Sequence, residues 1–290
     1  MKKKSNFLNF LSNENDWSKI VSIENKYEMT SLRDLVFTRP CIQINFDKSI
    51  CFDEIKENLL AICSENGESL NYNGSPYLEL PDYSNQLVEW HYDGISNVNI
   101  KRVPDWIFFL HSGDYSEVDS KIKNGFNIAN CHLLLNSLTT ESKEFLISTS
   151  QEIIGHKIGT SDTSKNEKAD LIIKMVRELT DNINVLRGHI PFDNTFNLDF
   201  SDETFYCYPD KLKFRFKNLK FAEQNYLLND IQNALYNKKI TFHHKFHSNS
   251  LLVVHNKSCF HSGMNVEGGI KRTALRLQLI IKYDGLKGEE

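Results

Sequence analysis

Residues 250–263 read Ser-Leu-Leu-Val-Val-His-Asn-Lys-Ser-Cys-Phe-His-Ser-Gly, and residues 271–279 read Lys-Arg-Thr-Ala-Leu-Arg-Leu-Gln-Leu. The first stretch holds a continuous apolar run, Leu251 to Val254, bounded by polar residues, as a buried strand requires. The second alternates sharply: Arg272, Ala274, Arg276 and Gln278 point one way, and Leu275, Leu277 and Leu279 the other. The leucine face belongs in a hydrophobic layer. The arginine face meets either solvent, the usual outcome for such a face, or a polar cavity.

Outward from this block, Trp106 to Leu110 is a second short apolar run of the buried-strand type. Leu35-Val36-Phe37 and Cys41-Ile42-Gln43-Ile44 read as short strands around Pro40. Helical spacing appears from Glu54 to Ser64, with Asp53 as N-cap and Gly67 as the residue just past the end. Helices are also expected between Thr140 and Ile154 and between Ala222 and Tyr236, the latter leading into a strand over 240–246. Ala169 to Leu179 suits helix or strand, and Pro191 to Pro209 reads as loop-rich. Many short strands with a few flanking helices predict a mainly β sandwich or barrel decorated by helices.

The chain has 290 residues, 34 basic against 38 acidic side chains and a formal net charge of −4. Its hydrophobic content of 40 %, with 19 Phe and 11 Tyr, supplies a sizeable core and excludes wholesale disorder. Mild acidity argues against nucleic acid or an anionic membrane as partner. The one basic run, Lys2-Lys3-Lys4, precedes an apolar patch that Asn9 interrupts and that Glu14 and Asp16 follow too soon for a signal peptide, so a cytoplasmic location is expected. No run approaches the roughly 18–20 apolar residues of a membrane span. Six scattered cysteines without a C-x-x-C pair point to core filling rather than a disulfide framework or zinc ribbon. Without a repeat, linker or Pro-rich hinge, one domain over 1–290 is the simpler reading.

Chemistry enters at Trp90-His91-Tyr92-Asp93-Gly94. With 10 His and 38 acidic residues, chance alone supplies about one H-x-[DE], so context must decide. Leu87 to Trp90 is strand-like, and in a strand His91 and Asp93 project together. Joined with His261, these residues make a two-histidine, one-carboxylate set, which holds Fe(II) on one face and leaves positions open for a chelating co-substrate and dioxygen. An arginine shortly downstream suits the distal carboxylate of such a co-substrate, because its planar fork offers paired charge-assisted hydrogen bonds.

At these residues the chain resembles the taurine dioxygenase-like (TauD/TfdA) branch of the Fe(II)/2-oxoglutarate-dependent oxygenases. That branch has a W-H-x-D segment, then a strand ending in a D-N-x-x-x-x-H-like turn, then an R-x-x-x-R strand. Here the second element runs from Leu251 to His261, with His255 where Asp is common, and Arg272 and Arg276 follow His261 by eleven and fifteen residues. The resemblance spans roughly residues 30 to 285. It implies a double-stranded β-helix (jelly roll, cupin-like) flanked by helices, with a substrate-shaping insert at about 161–220. It implies His91, Asp93 and His261 as iron ligands, Arg272 as anchor of 2-oxoglutarate, and Arg276 as partner of an anionic group on the primary substrate. A family threonine that helps hold the co-substrate corresponds to Asn127 in Asn124-Gly125-Phe126-Asn127, and Tyr72 lies where relatives place substrate contacts, although aromatic core packing is its commoner role.

The implied reaction is oxidative decarboxylation of 2-oxoglutarate by dioxygen, coupled to hydroxylation or desaturation of a small carboxylate-bearing molecule. Asp93 at the carboxylate position weighs against halogenation, whose enzymes place a small residue there. Desaturation of an amino-acid-derived isonitrile acid in natural-product biosynthesis is the leading expectation. Hydroxylation of a free or modified amino acid, or taurine-dioxygenase-like catabolism, is the near rival, and a catalytically silent jelly-roll binding protein the reading from another class. Homo-oligomerisation stays open. His243-His244-x-x-His247 has zinc-like spacing, but on a strand these residues do not converge. Cys259 beside His261 reads as a packed cysteine, and His111, His132, His156 and His189 show no partner pattern and read as structural or surface histidines.

Overall fold

The alternation around Leu277 sets the two faces of the main sheet. A computed structural model of the chain describes residues 6–70, 74–79, 90–93, 103–113, 125–157, 168–180, 182–191, 196–199, 204–207, 212–245, 249–263 and 272–281. In it, Arg272–Ile281 pairs antiparallel with Trp106–Gly113, which pairs antiparallel with Asn249–His255. Cys41–Phe46 extends the sheet beyond Asn249–His255, and Ser18–Ile23 adds a parallel edge strand. Gly67–Ser69 and Leu78–Glu79 pair with the far side of Arg272–Ile281.

Trp106, Phe108 and Leu110 share one cluster with Leu251, Val253, Leu275, Leu277 and Leu279. The helix Phe52–Asn66 covers that face with Ile55, Leu59, Ile62 and Cys63. Each such side chain, fully buried, contributes about 1.5–3 kcal/mol. The intervening residues Ile107, Phe109, Leu252 and Val254 belong to a second cluster with Ile128 and Phe260 of a smaller sheet, ordered Thr241–Lys245, Gly125–Asn130, Cys259–Gly263. Ring contacts between Phe109 and Phe126 (4.6 Å) and between Phe109 and His261 (5.6 Å) bring the two sheets face to face. The result is the jelly roll expected from the sequence.

Several local expectations need correction. Leu35 to Phe37 is not a strand: Leu32–Leu35 is a helical turn, and Leu32 and Val36, four residues apart, are both fully buried. A three-residue apolar run does not distinguish the two periods. The helix expected over 140–154 ends at Ser148, and Ser150–Lys157 is a strand in which Gln151 and Ile153 are buried and Glu152 is not. Helix Phe52–Asn66 has Cys51, not Asp53, at its N-cap; Asp53 lies in the first turn, where a negative charge suits the helix dipole. Gly67 is extended rather than left-handed and opens a strand, where a Cβ would run into the Ile280 carbonyl. Residues 169–179 form parts of two strands, Lys168–Lys174 and Val176–Thr180. The region 191–209 contributes two strands, Phe196–Asp199 and Thr204–Cys207, to a five-stranded sheet with Leu212–Phe216, Ser150–Lys157 and Lys168–Lys174. The helix Phe221–Leu235 and the strand Thr241–Lys245 occur where expected. Among the described residues no helix is long and apolar enough to cross a membrane.

Candidate metal centre

Trp90 and His91 are held by two isolated bridges. Trp90 exchanges backbone hydrogen bonds with Ile190 (2.9 Å each way), and His91 with His261 (3.1 and 2.8 Å). The strand expected up to Trp90 covers residues 80–89, which lie outside the described residues. Asp93 sits in a turn. Its peptide is clamped by buried Asn256: the Asp93 N–H donates to Asn256 Oδ1 (2.8 Å), and Asn256 Nδ2 donates to the carbonyls of Asp93 and Pro104 (2.9 Å each).

This framework directs three ligand atoms to one point. Asp93 Oδ1 lies 3.6 Å from His91 Nε2 and 3.4 Å from His261 Nε2, and the three donor atoms fall within 4.8 Å of one another. Metal–ligand bonds of about 2.1 Å set at right angles would put neighbouring donors about 3.0 Å apart. A small contraction therefore suffices, and the residues fit a divalent ion. The other carboxylate oxygen, Oδ2, accepts from Arg276 (3.0 Å) and from Gln278 Nε2. Partners of this sort orient a metal ligand and tune its basicity.

Burial pushes the Asp93 carboxyl up, but the Arg276 guanidinium and the His261 and His91 imidazoles outweigh it and hold the group well below the usual carboxylate range. Burial, followed by the proximity of His91, outweighs the opposing pull of Asp93 and pushes His261 down, toward the neutral form that binds a metal. Gln278→Leu is expected to weaken divalent-metal binding by about 10- to 100-fold with little change in fold; an anaerobic metal titration reading wild-type affinity would remove Gln278 from the centre.

Of the residues expected from the sequence, the structure brings His91, Asp93, His261 and Arg276 together. Arg276, expected at the substrate, donates to the ligand carboxylate and is 23 % exposed. Arg272 occupies the first position of its strand, opposite Gly113. Asn127 is not brought to the centre: Ile128 pairs with His261, so its neighbour Asn127 lies on the opposite face, where its Oδ1 is 2.9 Å from His243 Nδ1. Tyr72 and His247 lie outside the described residues. His243 and His244, adjacent on a strand, take opposite faces, and among the described residues the triad is the one group of three arranged for a metal. Cys259 is buried, and burial raises its thiol to about 12, which fits packing.

Three contributors were not singled out as site residues from the sequence. Gln278 was visible in the Arg272–Gln278 alternation. Asn256 follows the His255 position. His189 carried no signal, yet its ring stacks on that of His91, with centroids 5.8 Å apart and planes at 4°. Its backbone N–H donates to Gln151 Oε1 (2.8 Å) and its carbonyl accepts from Gln151 Nε2 (2.7 Å). Gly188 makes this approach with φ +111°, and a Cβ there would lie 2.7 Å from Gln151 Oε1. Arg187 Nε donates to the Tyr92 hydroxyl (2.9 Å).

Comparison with solved structures gives the same fold. PvcB from Pseudomonas aeruginosa aligns over 92 % of this chain and 90 % of its own at 15 % identity and a TM-score of 0.60. A second PvcB structure, described as an Fe, alpha-ketoglutarate dependent oxygenase from an isonitrile synthetic pathway, aligns over 87 % and 79 % at 15 % identity and a TM-score of 0.56. A taurine dioxygenase from Burkholderia xenovorans aligns over 90 % and 88 % at 13 % identity and a TM-score of 0.57. No protein-family model and no curated protein sequence matches the chain.

Proposed function

We propose that the chain is a non-haem Fe(II)/2-oxoglutarate-dependent oxygenase that hydroxylates or desaturates a small carboxylate-bearing molecule. The observation that carries this reading is the convergence of His91, Asp93 and His261, with Asp93 Oδ2 taken up by Arg276 and Gln278 and Oδ1 turned toward both imidazoles. Fe(II) held there would activate dioxygen, which is the oxidant: two of its four electrons would come from decarboxylation of 2-oxoglutarate to succinate and two from the substrate C–H bond. His91, Asp93 and His261 would hold the ion from one side and leave its other side open to these co-substrates.

The remaining roles follow from the chain's own groups. Arg272 is assigned the distal carboxylate of 2-oxoglutarate. A guanidinium has five N–H donors, so Arg276 can serve Asp93 and an anionic group of the substrate together. The one-domain reading, with 161–220 shaping the substrate region, is supported by the Arg187–Ile190 strap, which comes from that stretch and is bonded to Trp90 and Tyr92. The fold shared with PvcB supports an amino-acid-derived isonitrile acid as the substrate. A free amino acid as the accepted substrate would change that assignment and leave the reaction class intact.

Anaerobic addition of Fe(II) and 2-oxoglutarate is expected to produce a weak visible charge-transfer band. Air should then yield succinate, faster with a matching substrate. Absence of both band and succinate would overturn the oxygenase reading in favour of a binding protein.

A further inference from the structure

Asn127 faces away from the centre, so the question is which side chains meet the far end of a dicarboxylate co-substrate. Phe126, on the interior face, puts a phenyl ring 4.6 Å from that of Phe109 and 5.7 Å from that of His111. Phenyl offers a carboxylate no conventional donor. Two imidazoles lie beside it, with a hydroxyl next to one of them. His111 from the main sheet and His244 from the smaller one are both fully buried, with ring centroids 5.7 Å apart. Ser250 is the direct cross-strand neighbour of His111 and shares the face of Leu252 and Val254. It is fully buried, and its hydroxyl has no hydrogen-bond partner among the described residues. A buried hydroxyl without a partner is costly, and a ligand oxygen would complete it.

The cluster stands at the right place along the strand. Phe109 touches the His261 ring, and His111 follows one two-residue step later, about 6.8 Å on. Gly113, the partner of Arg272, is one further step along. Ala274 flanks His111 on the side away from Ser250 and contributes only a methyl group. A five-carbon diacid chelating at the triad through its 2-oxo acid end would have to run along this strand toward the expected anchor. Gly125, at φ +143°, lets the two small-sheet strands meet so closely that a Cβ there would run into the His244 carbonyl, and this sets the position of His244.

We infer that His111, His244 and Ser250 form the seat of the co-substrate's distal carboxylate, in the role the sequence reading gave to Asn127. An imidazole offers an N–H and serine an O–H, so these three side chains are of a kind that donates to an anion. The inference rests on the oxygenase reading, and its test separates the two.

The test compares anaerobic binding of 2-oxoglutarate and of 2-oxobutanoate, which keeps the chelating end and lacks the distal carboxylate, to the Fe(II)-loaded protein. Ser250→Ala is expected to weaken 2-oxoglutarate binding by about 10-fold and His244→Phe by about 10- to 100-fold, while 2-oxobutanoate binding moves less than about threefold and His244→Gln recovers part of the loss. Wild-type affinity for 2-oxoglutarate in the variants, or an equal loss for both acids, would overturn the seat alone. Failure of wild-type protein to bind 2-oxoglutarate at all would overturn the oxygenase reading and the seat with it. Ser250→Ala removes a single atom, so it decides the matter if His244→Phe does not fold.

Discussion

His261→Ala is expected to lower Fe(II) affinity by more than about 100-fold, beyond the range typical of losing an outer partner of a metal ligand, and to abolish the anaerobic charge-transfer band. The reason is geometric. His261 Nε2 and His91 Nε2 approach Asp93 Oδ1 from two sides at 3.4 and 3.6 Å, and removing one imidazole leaves two donors that no longer define a face. The fold should survive, because the bond between His91 and His261 is made by backbone atoms. Unfolding curves and an anaerobic metal titration on the same preparation separate the two effects. A His261→Ala protein that retained wild-type metal affinity would show that the triad is not the metal centre.

Asn256→Ala should strike stability and metal binding together. Its amide makes three buried hydrogen bonds, two of them to the peptide of Asp93. Alanine leaves the Asp93 N–H and the Asp93 and Pro104 carbonyls without these partners, and each such group costs about 1–3 kcal/mol when unsatisfied. A net destabilisation of about 2–4 kcal/mol is expected after local relaxation, together with weaker metal binding because the Asp93 turn loses its clamp. Asn256→Asp can still accept from the Asp93 N–H but no longer donates to the carbonyls, and should fall between. An unchanged melting temperature with unchanged metal affinity would mean that the turn is held by other contacts.

The triad was legible in the sequence because His91 and Asp93 are two residues apart and His261 sits in a distinctive run before an arginine-bearing strand. The main sheet was legible for the same kind of reason: 251–254 and 272–279 carry their burial pattern in their residue order. Asn127 shows the limit of such reading. The face that a strand residue takes is set by register, and the pairing of Ile128 with His261 turns Asn127 away from the triad. His189 shows another limit: its place beside His91 depends on Gly188 and Gln151, the latter 38 residues away, and no local period encodes that contact. Arg276 was expected at an anionic group of the substrate, and only the packed structure shows its guanidinium on Asp93.

What the sequence determined by itself is the layering and the chemistry of the donors: alternating leucines commit one face of Arg272–Ile281 to the core, and His91, Asp93 and His261 supply two imidazoles and one carboxylate, donors of the kind a divalent metal takes. What the tertiary structure alone decided is which other groups meet that site. His91 and His261, 170 residues apart, become backbone neighbours; Gln278 and Arg276 take one oxygen of Asp93; and His111, with Ser250 beside it in the main sheet, comes against Phe126 and His244 of the smaller sheet. Periodicity along a strand states which way a side chain points, whereas the partner it meets there is supplied by another strand and fixed only when the sheets close.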